Sequence, residues 1–154
     1  MSTSRVWKFH KDVDTDQIIA SQYLLLPTVE EMKQYTFESL DPGFAGKVSP
    51  GDLIVADENF GCGSSREQAP SVLKALGIKA VIARSFARIF YRNSINIGLP
   101  VIVCKDLYDH VDDGGYADLD LEAGTVTTGG VSYECTSLPP YMQGILNAVT
   151  DYVE

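Results

Sequence analysis

Three short, continuously apolar runs constrain the fold of this chain more than any other feature. They occupy Leu53–Ala56, Ala80–Ala83 and residues 101–104, and runs of this length and composition are typical of strands buried on both faces of a sheet. Between them lie two helical patterns, one over residues 66–76 and one that ends at Gly98. This strand–helix alternation predicts an α/β fold whose core is a parallel sheet.

Both ends of the chain predict elements added to this core. Alternating side chains over residues 6–9 predict a first strand. Residues 124–128 and 131–135 flank Gly129-Gly130, which predicts an antiparallel hairpin, and residues 141–152 predict a closing helix. We therefore expect extra antiparallel strands at both ends of the chain, in a single domain over residues 1–154.

Charge and composition exclude several classes of partner. Twelve Lys and Arg against 21 Asp and Glu give a formal charge of −9, and such a surface repels phosphate, so we expect no nucleic-acid partner. No apolar run approaches the roughly 18–20 residues that a membrane span needs. The first residues show no secretory signal. These observations predict a soluble, cytoplasmic protein with no membrane partner.

The three cysteines do not resemble a metal site or a disulfide framework. Cys62, Cys104 and Cys135 are odd in number and widely spaced, which favours reduced thiols. Cys104 closes an apolar run and is predicted to be a small buried hydrophobe, and Cys135 is also interpreted as structural. The only histidines, His10 and His110, have no local relation to Cys62, which argues against a cysteine nucleophile.

The turn after the run Leu53–Ala56 carries the polar chemistry. In open α/β sheets ligands bind beyond the carboxyl ends of strands, where the start of a helix offers free N–H groups and a partial positive charge. Gly61 and Gly63 let the backbone approach a ligand closely, and Arg66 adds a fork that fits a carboxylate. The turn therefore predicts an anion site with the hydroxyl of Ser64 at its centre.

The same turn has a simpler explanation as a helix cap beside a surface arginine. Ser65 is expected to cap the helix, with Gln68 completing the capping box, and this leaves Ser64 free to face the pocket. A phosphate-binding loop is less well supported, because neither of the two common glycine-rich phosphate-binding spacings is present.

Several segments together resemble the swivelling domain of the aconitase superfamily. They are residues 57–67 (DENFGCGSSRE), 83–89 (ARSFARI), 14–19 (DTDQII) and 90–100 (FYRNSINIGLP). At this chain length the sequence is similar to the separate small subunits of 3-isopropylmalate dehydratase. The resemblance covers about residues 5–104 and implies a three-layer β/β/α swivelling domain.

The resemblance also implies a reaction and a set of site residues. It implies a hydro-lyase that isomerises a hydroxyacid by dehydration and rehydration, with Ser64, as an alkoxide, abstracting the proton next to a carboxylate. Arg66 matches the family's substrate-carboxylate ligand, and Ser65 and Gly63 match substrate-binding positions. The alkoxide would need stabilisation by the N–H groups at the helix start and by Arg66.

A four-iron four-sulfur cluster is the part of the family's chemistry that this chain lacks. Family clusters need three cysteine ligands, and the three cysteines here have no suitable spacing. The resemblance therefore implies that this chain binds no cofactor. The cluster, which in this family binds the substrate's hydroxyl and carboxylate, would lie on a large iron–sulfur subunit. The two subunits would form a heterodimer or heterotetramer.

The resemblance implies that a loop after the first strand selects the substrate. It holds Tyr23, Leu24, Leu25 and Leu26, and homoaconitase-type relatives carry an arginine where Leu25 stands. A carboxylate against Leu25 would lose hydration without compensation, whereas an alkyl group gains about 0.8 kcal/mol per buried CH₂. We expect 2- and 3-isopropylmalate as substrates and hence a role in leucine biosynthesis.

Alternatives remain at this point. Residues 24–26 could be simply core, and dimethylmalate, citramalate/citraconate or homoaconitase-type substrates are rivals within the superfamily. The family often has a histidine where Gln68 stands, so this position departs from the pattern. From a different class, a non-catalytic regulatory module could bind an anion with the same helix start.

Overall fold

The computed structural model describes residues 3–135 of the chain. Its strands are β1 (Ser4–Phe9), β2 (Leu53–Ala56), β3 (Ala80–Ala83), β4 (Val101–Val103), β5 (Tyr116–Asp120), β6 (Thr125–Thr128) and β7 (Val131–Glu134). Its α-helices are α1 (Thr15–Ile18), α2 (Val29–Met32), α3 (Phe44–Lys47), α4 (Gln68–Ala75) and α5 (Arg88–Ile97). Short 3₁₀ helices occupy Ser21–Leu25, Lys33–Tyr35 and Tyr108–His110. No helix within residues 3–135 has the length and apolarity needed to cross a membrane.

The parallel core is the part of the fold that the apolar runs predicted. Strands β1 to β4 are adjacent and parallel in the order β4-β3-β2-β1, and every residue of β2 and β3 is buried. Burial on both faces explains why these strands are apolar without alternation. The predicted α/β class and the three predicted buried strands are confirmed.

The first strand differs from expectation, because it belongs to the parallel core. Strand β1 pairs in parallel with β2, with Val6 opposite Leu53, and it is antiparallel only to β5 on its other side. The prediction of antiparallel strands at both ends of the chain is therefore wrong for the N-terminal end. The long crossover through α1, α2 and α3 returns the chain to start β2 in the same direction, and local alternation over 6–9 carries no information about that direction.

The antiparallel strands all follow the parallel core. Strands β5, β6 and β7 complete the order β4-β3-β2-β1-β5-β6-β7. The predicted hairpin is confirmed, since β6 and β7 are joined by Gly129 and Gly130 at φ of 58° and 78°, the positive values that a tight two-residue hairpin turn requires. The predicted helix over residues 141–152 lies outside the described residues.

The sheet curls so that its two ends approach each other at one point. Strands β4 and β7 are at opposite ends of the strand order, yet the Sγ of Cys104, just after β4, donates to the carbonyl of Glu134 in β7 at 3.5 Å. Cys104 is buried, as predicted, and a hydrogen bond with Cys135 lowers the pKa of Cys104 and raises the pKa of Cys135. The antiparallel strands thus fold back toward the parallel ones, as a β/β/α arrangement requires.

An aromatic cluster joins the turn after β2 to helix α5. The ring of Phe60 packs edge-on against Phe86 and Phe90, with centroids 6.2 Å and 5.3 Å away. Gly61 lies directly against this cluster at φ +86°, and a Cβ built on it would lie 2.2 Å from Cγ of Phe90. Only glycine fits between the turn and the helix at this point.

We predict that Gly61→Ala destabilises the chain by about 3 kcal/mol, because the new methyl group overlaps Phe90 and the backbone is left-handed. Gly46→Ala is the matched control. Gly46 lies in α3, and a Cβ added to it would meet no heavy atom within 4 Å, so this change should stabilise by about 0.5–1 kcal/mol. Urea unfolding of both variants measures the difference, and equal stabilities would contradict the packing described here.

Candidate functional site

A cavity of about 270 Å³ lies beyond the carboxyl ends of the first parallel strands. Its wall is formed by Gly61 and residues 63–66 after β2, residues 87–90 and Asn93 at the start of α5, and Thr15 in α1. The parallel pairing continues past the strand ends, with bridges from Asp14 to Cys62 and from Phe60 to Phe86. Three loops that follow neighbouring strands are thereby held side by side at one edge of the sheet.

Ser64 presents a free hydroxyl on a fixed backbone. The hydroxyl of Thr15 donates to the carbonyl of Ser64 at 2.8 Å, and the amide of Thr15 donates to the carbonyl of Cys62 at 2.8 Å. Ser64 is exposed and lines the cavity, and its own hydroxyl has no hydrogen-bond partner among residues 3–135. The main chain that carries this hydroxyl is therefore held in place, while the oxygen itself has no partner among residues 3–135.

The helix start differs from the predicted one. Helix α4 begins at Gln68, its N-cap is Glu67, and no side chain caps it, so the capping box predicted for Ser65 and Gln68 is wrong. The reason is tertiary, because Arg66 is held by residues some 50 positions earlier in the chain, which the local pattern does not encode. Ser65 therefore stays exposed on the cavity wall.

The later helix start leaves the amides of residues 63–66 in the turn itself. Within the described part of the chain, none of these four N–H groups has a hydrogen-bond acceptor. Unpaired backbone donors at the edge of a cavity are available to an anion. At this turn the positive potential therefore comes from these loop amides and from Arg66, since the start of α4 lies further along the chain.

Arg66 is anchored on one side and open on the other. Its Nη1 donates to Oδ1 of Asp16 and to the carbonyl of Ile19, each at 3.0 Å. The side chain is 17% exposed, and its Nε and Nη2 make no hydrogen bond to any residue that the structure describes. That free edge has the geometry of a bidentate carboxylate site.

Asp16 is a site residue that the sequence motifs did not single out. Its hydrogen bond with Arg66 holds the pKa of the carboxyl group below its usual value, so Asp16 remains charged and keeps the guanidinium in place. The signal is present in the motif over residues 14–19, but aspartates in such a segment are equally typical of a turn.

The predicted substrate loop lies apart from the cavity wall. Tyr23, Leu24 and Leu26 pack against the core, and Tyr23 also stacks on Tyr35 and donates to Glu38. None of residues 23–26 lines the cavity with Ser64. Leu25 is different, because its side chain is 90% exposed, and for this residue the interpretation as core is wrong.

One link does connect the loop to Arg66. The amide of Ser21, two residues before the loop, donates to Oδ1 of Asp16 at 3.2 Å. The same carboxylate oxygen accepts from Arg66. The segment that leads into the loop is therefore tied to the arginine through a shared carboxylate.

Cys62 has the wrong environment for a nucleophile. Burial and the nearby carboxylates of Asp14 and Asp12 raise the pKa of its thiol, which disfavours the reactive thiolate. Within residues 3–135 no group of three or more histidine, cysteine, aspartate or glutamate side chains could hold a metal ion. The described residues therefore do not fit an iron–sulfur cluster.

Comparisons with known proteins agree with this geometry. Residues 20–106 match the aconitase C-terminal domain family. The chain is 55% identical over 146 residues to the 3-isopropylmalate dehydratase small subunit of Lachnospira eligens, a match that covers 95% of this chain and 88% of that protein. It is 51% identical over 147 residues to the isopropylmalate/citramalate isomerase small subunit of Methanocaldococcus jannaschii, covering 94% and 87%.

A solved structure extends the agreement to the fold. The crystal structure of 3-isopropylmalate dehydratase from Methanocaldococcus jannaschii matches with a TM-score of 0.91 at 43% identity, over 98% of this chain and 92% of that one. The high identity and the near-complete coverage of both chains rule out a likeness of fold alone. This chain therefore belongs to the aconitase C-terminal domain family and, within it, to the 3-isopropylmalate dehydratase small subunits.

Proposed function

We propose that this chain is the small subunit of a hydro-lyase that interconverts 2-isopropylmalate and 3-isopropylmalate by dehydration and rehydration. The observation that carries the proposal is the shared cavity, which is lined both by Ser64, whose hydroxyl has no partner among residues 3–135, and by Arg66. Its place would be the leucine pathway in the cytoplasm, and it would act only when assembled with a large subunit.

Ser64 is the group that takes the proton in this proposal. On dehydration the C–H bond next to a carboxylate breaks and its proton moves to the Oγ alkoxide of Ser64, while the C–O bond on the neighbouring carbon breaks and the hydroxyl, protonated from outside this chain, leaves as water. Rehydration reverses both steps. A serine hydroxyl ionises only when its anion is strongly stabilised, and the unpaired amides of residues 63–66 and the charge of Arg66 support that state. The fixed backbone of Ser64 supports the role further, since proton transfer requires a defined position.

Arg66 binds the substrate carboxylate through its free Nε and Nη2 edge. Holding the carboxylate there orients the adjacent carbon, and Asp16 keeps the guanidinium from rotating. Gly63 and Ser65 complete the wall around the bound substrate.

The iron–sulfur cluster belongs to the large subunit in this proposal, in a heterodimer or heterotetramer. The support is the donor set of this chain, because its described cysteines and other donors form no group of three that could hold a metal. The cavity is also open, and exposed Ser64 and Ser65 on its wall leave room for a partner to close it.

The loop over residues 23–26 selects the substrate in this proposal. Leu25 is almost fully exposed and apolar, so it is free to contact an isopropyl group once the enzyme is assembled. Citramalate is the second candidate, since one relative at 51% identity is named an isopropylmalate/citramalate isomerase small subunit.

We expect Ser64→Ala to lower turnover of isopropylmalate by about 10³-fold or more in the assembled enzyme, because the proton acceptor is lost. Ser71→Ala is the matched control, since Ser71 lies in α4 and only donates to the carbonyl of Glu67. Steady-state kinetics measures turnover, and sedimentation with the large subunit checks that both variants assemble. Turnover within about threefold of wild type for Ser64→Ala would remove Ser64 from the role of base.

We expect Leu25→Arg to shift preference from isopropylmalate toward homocitrate by about tenfold or more in kcat/KM ratio, because the new charge pairs with the extra carboxylate. Leu25→Gln adds a polar side chain without the charge and should not favour homocitrate. Both changes should alter stability by less than about 0.5 kcal/mol at so exposed a position. A wild-type enzyme that already prefers homocitrate would contradict the argument from Leu25.

A further inference from the structure

Arg88 is a second arginine among the residues that line the cavity with Ser64 and Arg66. It is the first residue of α5 and is exposed. Its position is set from the turn itself, because the amide of Phe60 donates to the carbonyl of Ser85 at 3.1 Å and the amide of Ala87 donates to the carbonyl of Phe60 at 3.0 Å. The start of α5 is therefore held beside residues 63–66.

Nothing in the described part of the chain neutralises Arg88. Its side chain makes no ion pair and no hydrogen bond with any of residues 3–135. Arg84, four residues earlier, is the opposite case, since its guanidinium pairs with Asp57 and with Asp109. Arg84 has the partners of a structural arginine and Arg88 has none.

The position of Arg88 is also unfavourable for the helix that carries it. The N-terminus of a helix bears partial positive charge, so a cation in its first turn is repelled, and the first turn of α5 contains no acidic residue. Stability therefore does not explain an arginine at this position. Binding of a negatively charged ligand in the cavity would explain the arginine at this position.

Charge balance in the cavity indicates what that negative charge is. A malate-type substrate is a dianion, whereas Arg66 has one free edge for one carboxylate and already shares its positive charge with Asp16. Arg88 is the one unpaired cationic side chain among the described residues that line this cavity. We propose that Arg88 binds the second carboxylate of the dicarboxylate substrate and so selects dianions over monoanions.

This inference rests on the proposed function, since it assumes that a dicarboxylate occupies the cavity. Its test uses the enzyme assembled with the large subunit, with Arg88→Gln, Arg88→Lys and Arg92→Gln. Arg92 is the matched control because it is exposed on the same helix and does not line the cavity of Ser64.

We expect Arg88→Gln to raise KM for isopropylmalate by about 10- to 100-fold, with kcat within about threefold of wild type, because a charge-assisted contact is lost. The KM of Arg88→Lys should lie between those of wild type and Arg88→Gln, and the KM of Arg92→Gln should match that of wild type. The second readout is inhibition by isopropylsuccinate, a dicarboxylate without the reacting hydroxyl, against its monoamide. Wild type should prefer the dicarboxylate and Arg88→Gln should lose that preference.

Two results would overturn the inference. One is an unchanged KM and an unchanged dicarboxylate preference in Arg88→Gln. The other is a weakened association with the large subunit, measured by titration calorimetry, with a normal KM once the subunit is saturating, which would make Arg88 a partner contact. A wild-type assembly that fails to isomerise isopropylmalate is a separate outcome, since it rejects the proposed function itself.

Discussion

The candidate site depends on the hydrogen bonds that tie the turn after β2 to the segment after β1. The amide of Gly61 donates to the carbonyl of Val13 at 2.7 Å, and Thr15 contributes two more bonds to residues 62 and 64. These bonds extend the pairing of two parallel strands beyond their ends. Because the backbone on both sides of Ser64 is held in this way, the free hydroxyl and the free amides keep their places without a helix cap.

The charges around the cavity are the second feature on which the site depends. The chain carries a net charge of −9, yet the described residues of the cavity wall include two arginines and no carboxylate. The carboxylate of Asp16 binds Arg66 and orients it, but Asp16 itself does not line the cavity. An acidic protein can thus bind an acidic substrate, because the field at close range is set by the few charges that line the cavity.

The elements that local pattern predicted well are those with a strong and short-range signal. The buried strands β2, β3 and β4, helix α5 with its end at Gly98, and the Gly129-Gly130 hairpin all follow from apolar runs, helical spacing and turn residues. The direction of β1 did not follow, because parallel or antiparallel pairing depends on how a long connection returns. The capping box at Ser65 failed for a related reason, since a distant carboxylate and carbonyl hold Arg66.

The local pattern of the turn predicted an anion site with Ser64 and Arg66, and the family resemblance implied their separate roles as base and carboxylate ligand. The geometry around them was added by the structure, in the free edge of Arg66, the role of Asp16 and the unpaired charge of Arg88. The sequence by itself determined the class of fold, the position of the polar turn and the chemical types of its side chains. Only the tertiary structure decided which partners each arginine has, because these depend on what lies beside the guanidinium in space, and the partners of Arg66 and Arg84 lie 21 to 50 residues away along the chain.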